Sequence, residues 1–556
     1  MKELRFLIIV ITIQLLIPSS IFGVENVPKS YFVKPIDVVC DYPFNDTTKW
    51  AVACRVWGLL KYYHPNVTAG KFDWDQVLIK SIGKINEAKT PEQVNNELMQ
   101  MIRIAGEYEF SIYTSWNDSL NMNVNLCWLD YSFINDSIRQ TLKEIASLTT
   151  TSHFYYLKPI IGAPIMPASN EKDYDMSVIN HYEYRLLSLF IYWNVIYYFF
   201  PYKYLMDQSW DGTLLDFIPQ FLNAFDVSSY QRAIQKLISL LCDGHSFSAV
   251  SPSSEALKFK YISLIDSSTV VRNPPEGSML ERGDIILSID EKNIKSLRDS
   301  LAPLFPSPNR RFNDNVINGN IFLSIMNGCQ LTVMRNQHII TLYENKKNIT
   351  DEIISPYYSI SPDIFYVNLD ILKDSDIPCM ADSLKNYRGV VFDLRNYPIH
   401  FNHWDLFRHL IQTQEFCYGL ATYADWSHLG AFYKKELITK CPDDLWMGCE
   451  KYNGKIVVLI NEATGSRAET FAMMFRIHGA TLVGYPTAGS NGNVTLFSLP
   501  GHIGGFYSGL GFYYPDGTQT QRTGIIPDIE VYPTMDDIMA GRDEVLEAAI
   551  TFLNSN

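Results

Sequence analysis

Apolar residues follow three different patterns along this chain. From residue 364 onward, short runs are apolar at nearly every position: "IFYVNLDIL" (364–372), "GVVFDLRN" (389–396), "KIVVLIN" (455–461) and "ATLVGYP" (480–486). Runs of that length and composition read as strands covered on both faces. Between them, "HWDLFRHLIQTQEF" and "AETFAMMFRIH" space their apolar residues as helices do. Strands alternating with helices predict an α/β core with a largely parallel sheet. From about 252 to 347 the pattern is shorter and alternating. "MLERGDIILSIDEKNI" (279–294) puts a Gly-Asp turn before a strand, and "QLTVMRNQHIITLYE" (330–344) reads as a hairpin.

The first half is helical, and it repeats. "RVWGLLKYYHPNVTAGKFDWDQ" (55–76) resembles "FIYWNVIYYFFPYKYLMDQSWDG" (190–212). At a constant offset of 136, Trp57, Tyr62, Pro65, Trp74 and Asp75 match Trp193, Tyr198, Pro201, Trp210 and Asp211. Each copy predicts an aromatic helix ended by proline, followed by two more helices. The repeat also bears on "LLSLFIYWNVIYYFF" (186–200), an uncharged run of membrane-like appearance. Its partner helix carries Arg55 and Lys61, and fifteen residues are short for a bilayer, so a buried helix is the better reading. Where the copies diverge, "CDGHSFS" (242–248) stands opposite "GEYEFSI" (106–112), so the second copy has His245 where the first has Glu109.

Composition narrows the classes. The chain of 556 residues is long enough for three or four domains, and 47% apolar with 19% charged residues is ordinary for a globular protein. A net charge of −14 argues against nucleic acid and anionic membrane surfaces as partners. Lys2 and Arg5 precede "FLIIVITIQLLI" (6–17) and small residues up to Gly23, which predicts an export signal over 1–23 and an exported, periplasmic or secreted product. No membrane span is expected after its cleavage. Nine cysteines leave at least one thiol free, and Cys441 and Cys449 are close enough in sequence to pair. No C-x-x-C occurs; His400-x-x-His403 is a weak metal spacing without an evident carboxylate. No metal or cofactor is expected.

Candidate chemistry centres on "NEATGSRAETF" (461–471), between a buried strand and a helix. Ser466 at that corner has two readings. With Glu469 three residues on, it fits a capping box. It also fits a nucleophile beside the free N–H groups of a helix start, with the Arg467 N–H as an oxyanion donor. A base must then come from elsewhere. His478 lies twelve residues down the same helix, about 18 Å away. His400 and His403 follow the "VVFDLRN" strand, and His245 ends a distant helix; spacing alone does not choose among these three.

The order of motifs adds a resemblance. The 252–347 region resembles a PDZ domain, without a recognisable carboxylate-binding loop. With "DGHS", "VVFDLRN", "NEATGSRAE", "GYPTAGSNGN" and "PDGTQTQRTGIIPDIEV", it occurs in the order found in the C-terminal processing peptidase and tricorn family of serine peptidases. The resemblance covers about 180–556 and implies Ser466 as nucleophile. One branch of that family activates its serine with a lysine in a Gly-Lys-Gly loop. The matching loop here, Gly489-Ser490-Asn491, has serine instead. The tricorn-like branch uses a histidine from before the PDZ module, which is where His245 lies. Two departures accompany the match. Gln521 stands where that branch has a histidine-orienting glutamate, leaving Asp243 as a substitute carboxylate. Tyr397-Pro398 replaces the Gly-Gly whose N–H would complete the oxyanion hole.

The expectation is therefore a multidomain α+β and α/β protein. Its parts are a signal peptide (1–23), a helical repeat region (copy one over 24–180, copy two with His245 over 181–251), a PDZ-like β domain (252–347) and a ClpP/crotonase-like α/β catalytic core (348–556). The implied function is serine-type peptide-bond hydrolysis, with Ser466, His245 and Gln521 at the site and oxyanion donors at Arg467 and Tyr397. Its partners would be peptide or protein substrates and, at the PDZ-like edge, a peptide terminus. A catalytically weak or inactive relative that binds peptides or hydrophobic ligands, or acts as an envelope scaffold, is the alternative.

Overall fold

Strands Lys455–Ile460 and Gly389–Asp393 are buried along nearly their whole length, as their unbroken apolar runs require. In the computed structural model they lie at the centre of a six-stranded sheet. Its spatial order is Ile529–Glu530, Thr481–Gly484, Lys455–Ile460, Gly389–Asp393, Ile364–Asn368 and Tyr357–Ser361. All neighbours are parallel except the edge strand Tyr357–Ser361. Alternate residues feed different cores. Val390, Phe392, Val458 and Ile460 pack with the helix Arg467–Ile477, while Val391, Val457 and Leu459 pack with Glu544–Ser555. Each such side chain contributes about 1.5–3 kcal/mol by leaving water. The sheet is thereby rigid enough to hold loops in register.

The structure describes residues 41–108, 121–148, 155–157, 169–249, 261–346, 355–425 and 428–555. The expected signal segment, Cys40 and Glu109 lie outside them. The chain forms two compact units. One runs to Asp226 and includes Tyr423–Tyr433 and Asn493–Gly504; the other comprises Val227–Thr422, Lys434–Gly492 and Gly505–Asn556.

The first unit is mainly helical. Within it the two sequence copies use their tryptophans identically. The indole N–H groups of Trp57 and Trp74 each donate to the other's carbonyl, at 3.0 and 3.1 Å, and Trp193 and Trp210 do the same at 3.0 Å each. The three charges in helix Thr48–Tyr63 are buried and paired, Lys49 with Asp46 at 3.0 Å, Arg55 with Asp211 at 2.9 Å and Lys61 with Glu171 at 2.7 Å. Buried ions persist only when so compensated. No helix among the described residues is long and apolar enough to cross a membrane.

The second unit contains the parallel sheet and an antiparallel one. The latter orders Ile262–Ile265, Ser268–Val271, Ile285–Ile289, Cys329–Arg335 and His338–Glu344, with Lys292–Asn293 paired to Ile285–Ile289. Helix Arg310–Met326 packs on it. The Gly-Asp turn at 283–284 and the 330–344 hairpin fall in this sheet, where the alternating pattern had them.

Candidate active site

Because the sheet is parallel, the loops after Ile460, Asp393 and Gly484 leave from the same edge, where ligands of open α/β sheets bind. Ser466 is in the first loop, Tyr397 in the second, and Gly489, Ser490 and Asn491 in the third. The Thr464 hydroxyl, 2.9 Å from the Leu394 carbonyl, ties the first loop to the second. The Arg467 guanidinium donates to the Phe401 carbonyl at 2.6 Å and lies in the electrostatic neighbourhood of Tyr397. The Ser490 carbonyl accepts from the Ser466 N–H at 2.8 Å, which ties the first loop to the third.

Ser466 starts the helix Arg467–Ile477 with φ +54° and ψ −119°, and its hydroxyl makes no capping bond. A non-glycine residue in that region costs on the order of 1–3 kcal/mol and persists only when its surroundings over-determine it. The capping-box reading therefore fails in its serine half. Glu469 keeps an interaction with the Ser466 backbone and also reaches the third loop. Wholly buried, it accepts from the Gly489 N–H at 2.9 Å, the Ser490 N–H at 3.0 Å and the Thr487 hydroxyl. Burial pushes its pKa up to about 7 against those donors.

The third loop has two further supports. The Asn309 amide, at the start of helix Arg310–Met326, donates to the carbonyls of Thr487 (3.2 Å) and Ala488 (2.7 Å). Gly489 takes φ +68°, and a Cβ there would stand 2.8 Å from the Arg522 carbonyl carbon. On its other side the loop meets the 243–246 turn. A Cβ on Gly244 would lie 2.8 Å from the Ser490 hydroxyl, so glycine allows the close approach that brings His245 to the loop holding Ser466. Ser490 is the residue common to both contacts.

His245 is fixed from behind. Its Nδ1 is 2.8 Å from the Ser508 hydroxyl, which donates onward to Asp243 Oδ1 at 2.9 Å. With that proton committed to Asp243, the imidazole donates from Nδ1, and Nε2 carries the free lone pair. Asp243 is fully buried and accepts from four further groups. These are the Ser508 N–H (2.7 Å), the Ser246 hydroxyl (3.0 Å), the His245 N–H (3.2 Å) and the Gln521 amide (3.2 Å). Burial lowers the His245 pKa from its ordinary value, and the Asp243 charge partly offsets this. The pairing of Phe247 with Phe506 and of Ser248 with Gly505 carries Ser508 alongside this turn.

Gln521 thus reaches the site through Asp243 and not through His245, and its carbonyl accepts from the Asn491 N–H at 3.3 Å. His403 sits by the Arg467 guanidinium, its pKa pushed down to about 4 by burial and that charge. His400 is exposed. His478 ends the helix against Phe416. No metal-binding group of acidic, histidine or cysteine side chains occurs among the described residues. Sequence reasoning missed Ser508 and Asn309. Ser508 lies in the apolar, Gly-rich "GFYSGLGFYY", which carries no local signal of a polar role, and Asn309 had only an N-cap pattern to offer.

The fold and this edge define an open α/β core with a strained serine at the carboxyl ends of its strands. Residues 419–531 match the family model of Peptidase family S41. The motifs and this match agree on what this part of the chain is similar to. No curated protein sequence matches it significantly. Among solved structures it is similar to mature CPAF complexed with lactacystin, at 12% identity and TM-score 0.51, over 67% of this chain and 99% of that one. It is also similar to the photosystem II D1 C-terminal processing protease (17%, TM-score 0.37, 63% of this chain and 93% of that one). A third is the tricorn protease (13%, TM-score 0.32, 68% and 36%).

Proposed function

We propose that this protein is an exported serine-type peptidase of the C-terminal processing kind, with Ser466 as nucleophile and His245 as base. The reading is supported by a strained serine whose N–H bonds the Ser490 carbonyl, and by a histidine, bonded at Nδ1, that follows Gly244, where a Cβ would press on the same Ser490. His245 Nε2 takes the Ser466 hydroxyl proton as the serine oxygen attacks a peptide carbonyl. The oxyanion faces the Arg467 N–H at the helix start and a donor from the Tyr397 loop. The imidazolium returns its proton to the leaving amine as the C–N bond breaks. Water then enters by the reverse sequence and frees the acyl group.

In this account the orienting carboxylate is Asp243, acting through Ser508. Gln521 is then an amide donor to that carboxylate and not a lost acid, which removes one of the two grounds for an inactive binding protein. A second carboxylate at 521 would face Asp243 without a donor between them. The remaining ground, Pro398 in the oxyanion loop, bears on rate and not on the nucleophile.

The domain reading goes with the function. It comprises a signal over 1–23, helical repeat copies over 24–180 and 181–251, a PDZ-like module over 252–347 and the core over 348–556. The exposed strand edges of the PDZ-like module would take a peptide terminus by strand addition. The test is hydrolysis of a fluorogenic peptide library by the full-length protein. Ser466→Ala and His245→Ala should both lose activity, the histidine variant by about 10²–10⁴-fold. Activity retained in Ser466→Ala would refute the assignment.

A further inference from the structure

A second group of reactive side chains lies in the same unit, apart from the serine. Cys449 Sγ is 3.1 Å from His409 Nδ1, and Cys449 is half-buried, within reach of a small solute. Cys441 is wholly buried and lies within electrostatic range of Cys449. The Lys451 ammonium is within electrostatic range of both cysteines, while donating to the Arg408 carbonyl at 2.6 Å and lying over the Trp446 ring.

Both cysteines are anchored to one short stretch of chain, Cys441 by its backbone and Cys449 by its thiol. The Cys441 N–H donates to the Gln414 carbonyl at 2.9 Å, and the Gln414 amide returns a bond to the Cys441 carbonyl at 2.9 Å. Cys449 is held at the His409 ring, and the Tyr452 N–H donates to the His409 carbonyl at 2.7 Å. Between them the one-turn helix Asp443–Trp446 folds the chain back, with the Cys449 N–H on the Trp446 carbonyl. All described cysteines, including these two, are free thiols.

We propose that Cys449 is a peroxide-reactive thiol and Cys441 its resolving partner, so that this site forms a reversible Cys441–Cys449 disulfide. His409 accepts the Cys449 proton as the sulfur attacks one oxygen of a hydroperoxide. The O–O bond breaks, and the leaving oxygen takes up the proton as water or alcohol. Cys449 is left as the sulfenic acid. The Cys441 thiol then attacks the Cys449 sulfur, the S–O bond breaks, and a water departs. Two thiols are oxidised by two electrons, and one peroxide is reduced. Lys451 and Arg408 are the cations within electrostatic range of this group of side chains. Burial and these cations hold His409 down to a pKa of about 4, so its ring is unprotonated and takes the Cys449 proton only as the sulfur attacks the peroxide oxygen.

The test uses reduced full-length protein treated with hydrogen peroxide, with a sulfenic-acid probe present, and peptide mapping by mass spectrometry. The exposed Cys379 serves as internal reference. Cys449 should react at least about tenfold faster than Cys379, and the wild type should yield a Cys441–Cys449 linked peptide that dithiothreitol reverses. Cys441→Ser should accumulate probe-labelled Cys449 without the cross-link. His409→Asn should slow Cys449 toward the Cys379 rate and leave Cys379 unchanged. Cys449 reacting no faster than Cys379 in the wild type, or pairing with another cysteine, would overturn the proposal, whether or not the variants fold.

Discussion

His245 and Asp243 stand two residues apart with their side chains 4.0 Å from one another, and the Ser508 hydroxyl fills the gap between them. An imidazole held through a hydroxyl keeps one tautomer without contacting the carboxylate. Removing the hydroxyl leaves Nδ1 without its acceptor and Asp243 short of a donor. Ser508→Ala should lower kcat by about 5- to 150-fold, the rate equivalent of about 1–3 kcal/mol for a lost buried partner. KM should change little, and Ser508→Thr should recover most of the rate. Steady-state kinetics on one peptide substrate checks all three.

Gln521 separates two accounts of this network. If the residue were a glutamate lost from a once stronger site, Gln521→Glu would raise activity. With the carboxylate at Asp243, the same change sets two acids side by side in a buried site, where like charges disfavour ionisation. Gln521→Glu should therefore be less active than the wild type at neutral pH and less stable, by about 1–3 kcal/mol. Gln521→Ala should be the milder variant. Denaturant titration alongside kinetics decides between the two.

Strain at Ser466 predicts a conflict between stability and activity. Glycine takes φ +54° and ψ −119° without the Cβ clash that serine suffers. Ser466→Gly should abolish hydrolysis yet raise the unfolding free energy by about 1 kcal/mol. Ser466→Ala, which keeps the Cβ, should lose activity without that gain. A melting temperature lower for the glycine variant than for the alanine variant would contradict the strain argument.

Glu469 gives a pH signature. Its folded pKa of about 7 lies above its ordinary 4.5, so the native state holds a proton that the unfolded chain has released. Its contribution is complete below 4.5 and fades as pH rises through about 7. Between pH 5.5 and 8 it should account for about 2 kcal/mol of declining stability, and Glu469→Gln should flatten that slope. Chemical denaturation at the two pH values measures the difference.

Much of this was legible in the chain because it rests on local pattern. Unbroken apolar runs marked Gly389–Asp393 and Lys455–Ile460 as strands with two covered faces, and strand–helix alternation made their sheet parallel. Their loops therefore had to share an edge. The Trp57/Trp74 and Trp193/Trp210 pairs were visible as a repeat because identical packing demands identical residues. Ser466 was visible for its place between strand and helix. The rest depended on contacts between segments far apart in sequence. Ser508 meets Asp243 across 265 positions and Asn309 meets Ala488 across 179, and neither carries a mark of it locally. The bond from Gln521 to Asp243 was hidden for the same reason. A side chain's partner is set by tertiary packing, and a match to a motif position fixes only its neighbourhood.

The most direct test of the central claim is the rate at which a fluorophosphonate modifies Ser466, followed by intact mass across a pH series. The account predicts one adduct, on Ser466, with its acid limb below the ordinary histidine value of 6.5, because burial lowers the His245 pKa. Labelling should fall by about a hundredfold or more in His245→Ala and vanish in Ser466→Ala. Labelling of Ser466 at an undiminished rate in a folded His245→Ala variant, or none in the wild type, would contradict it.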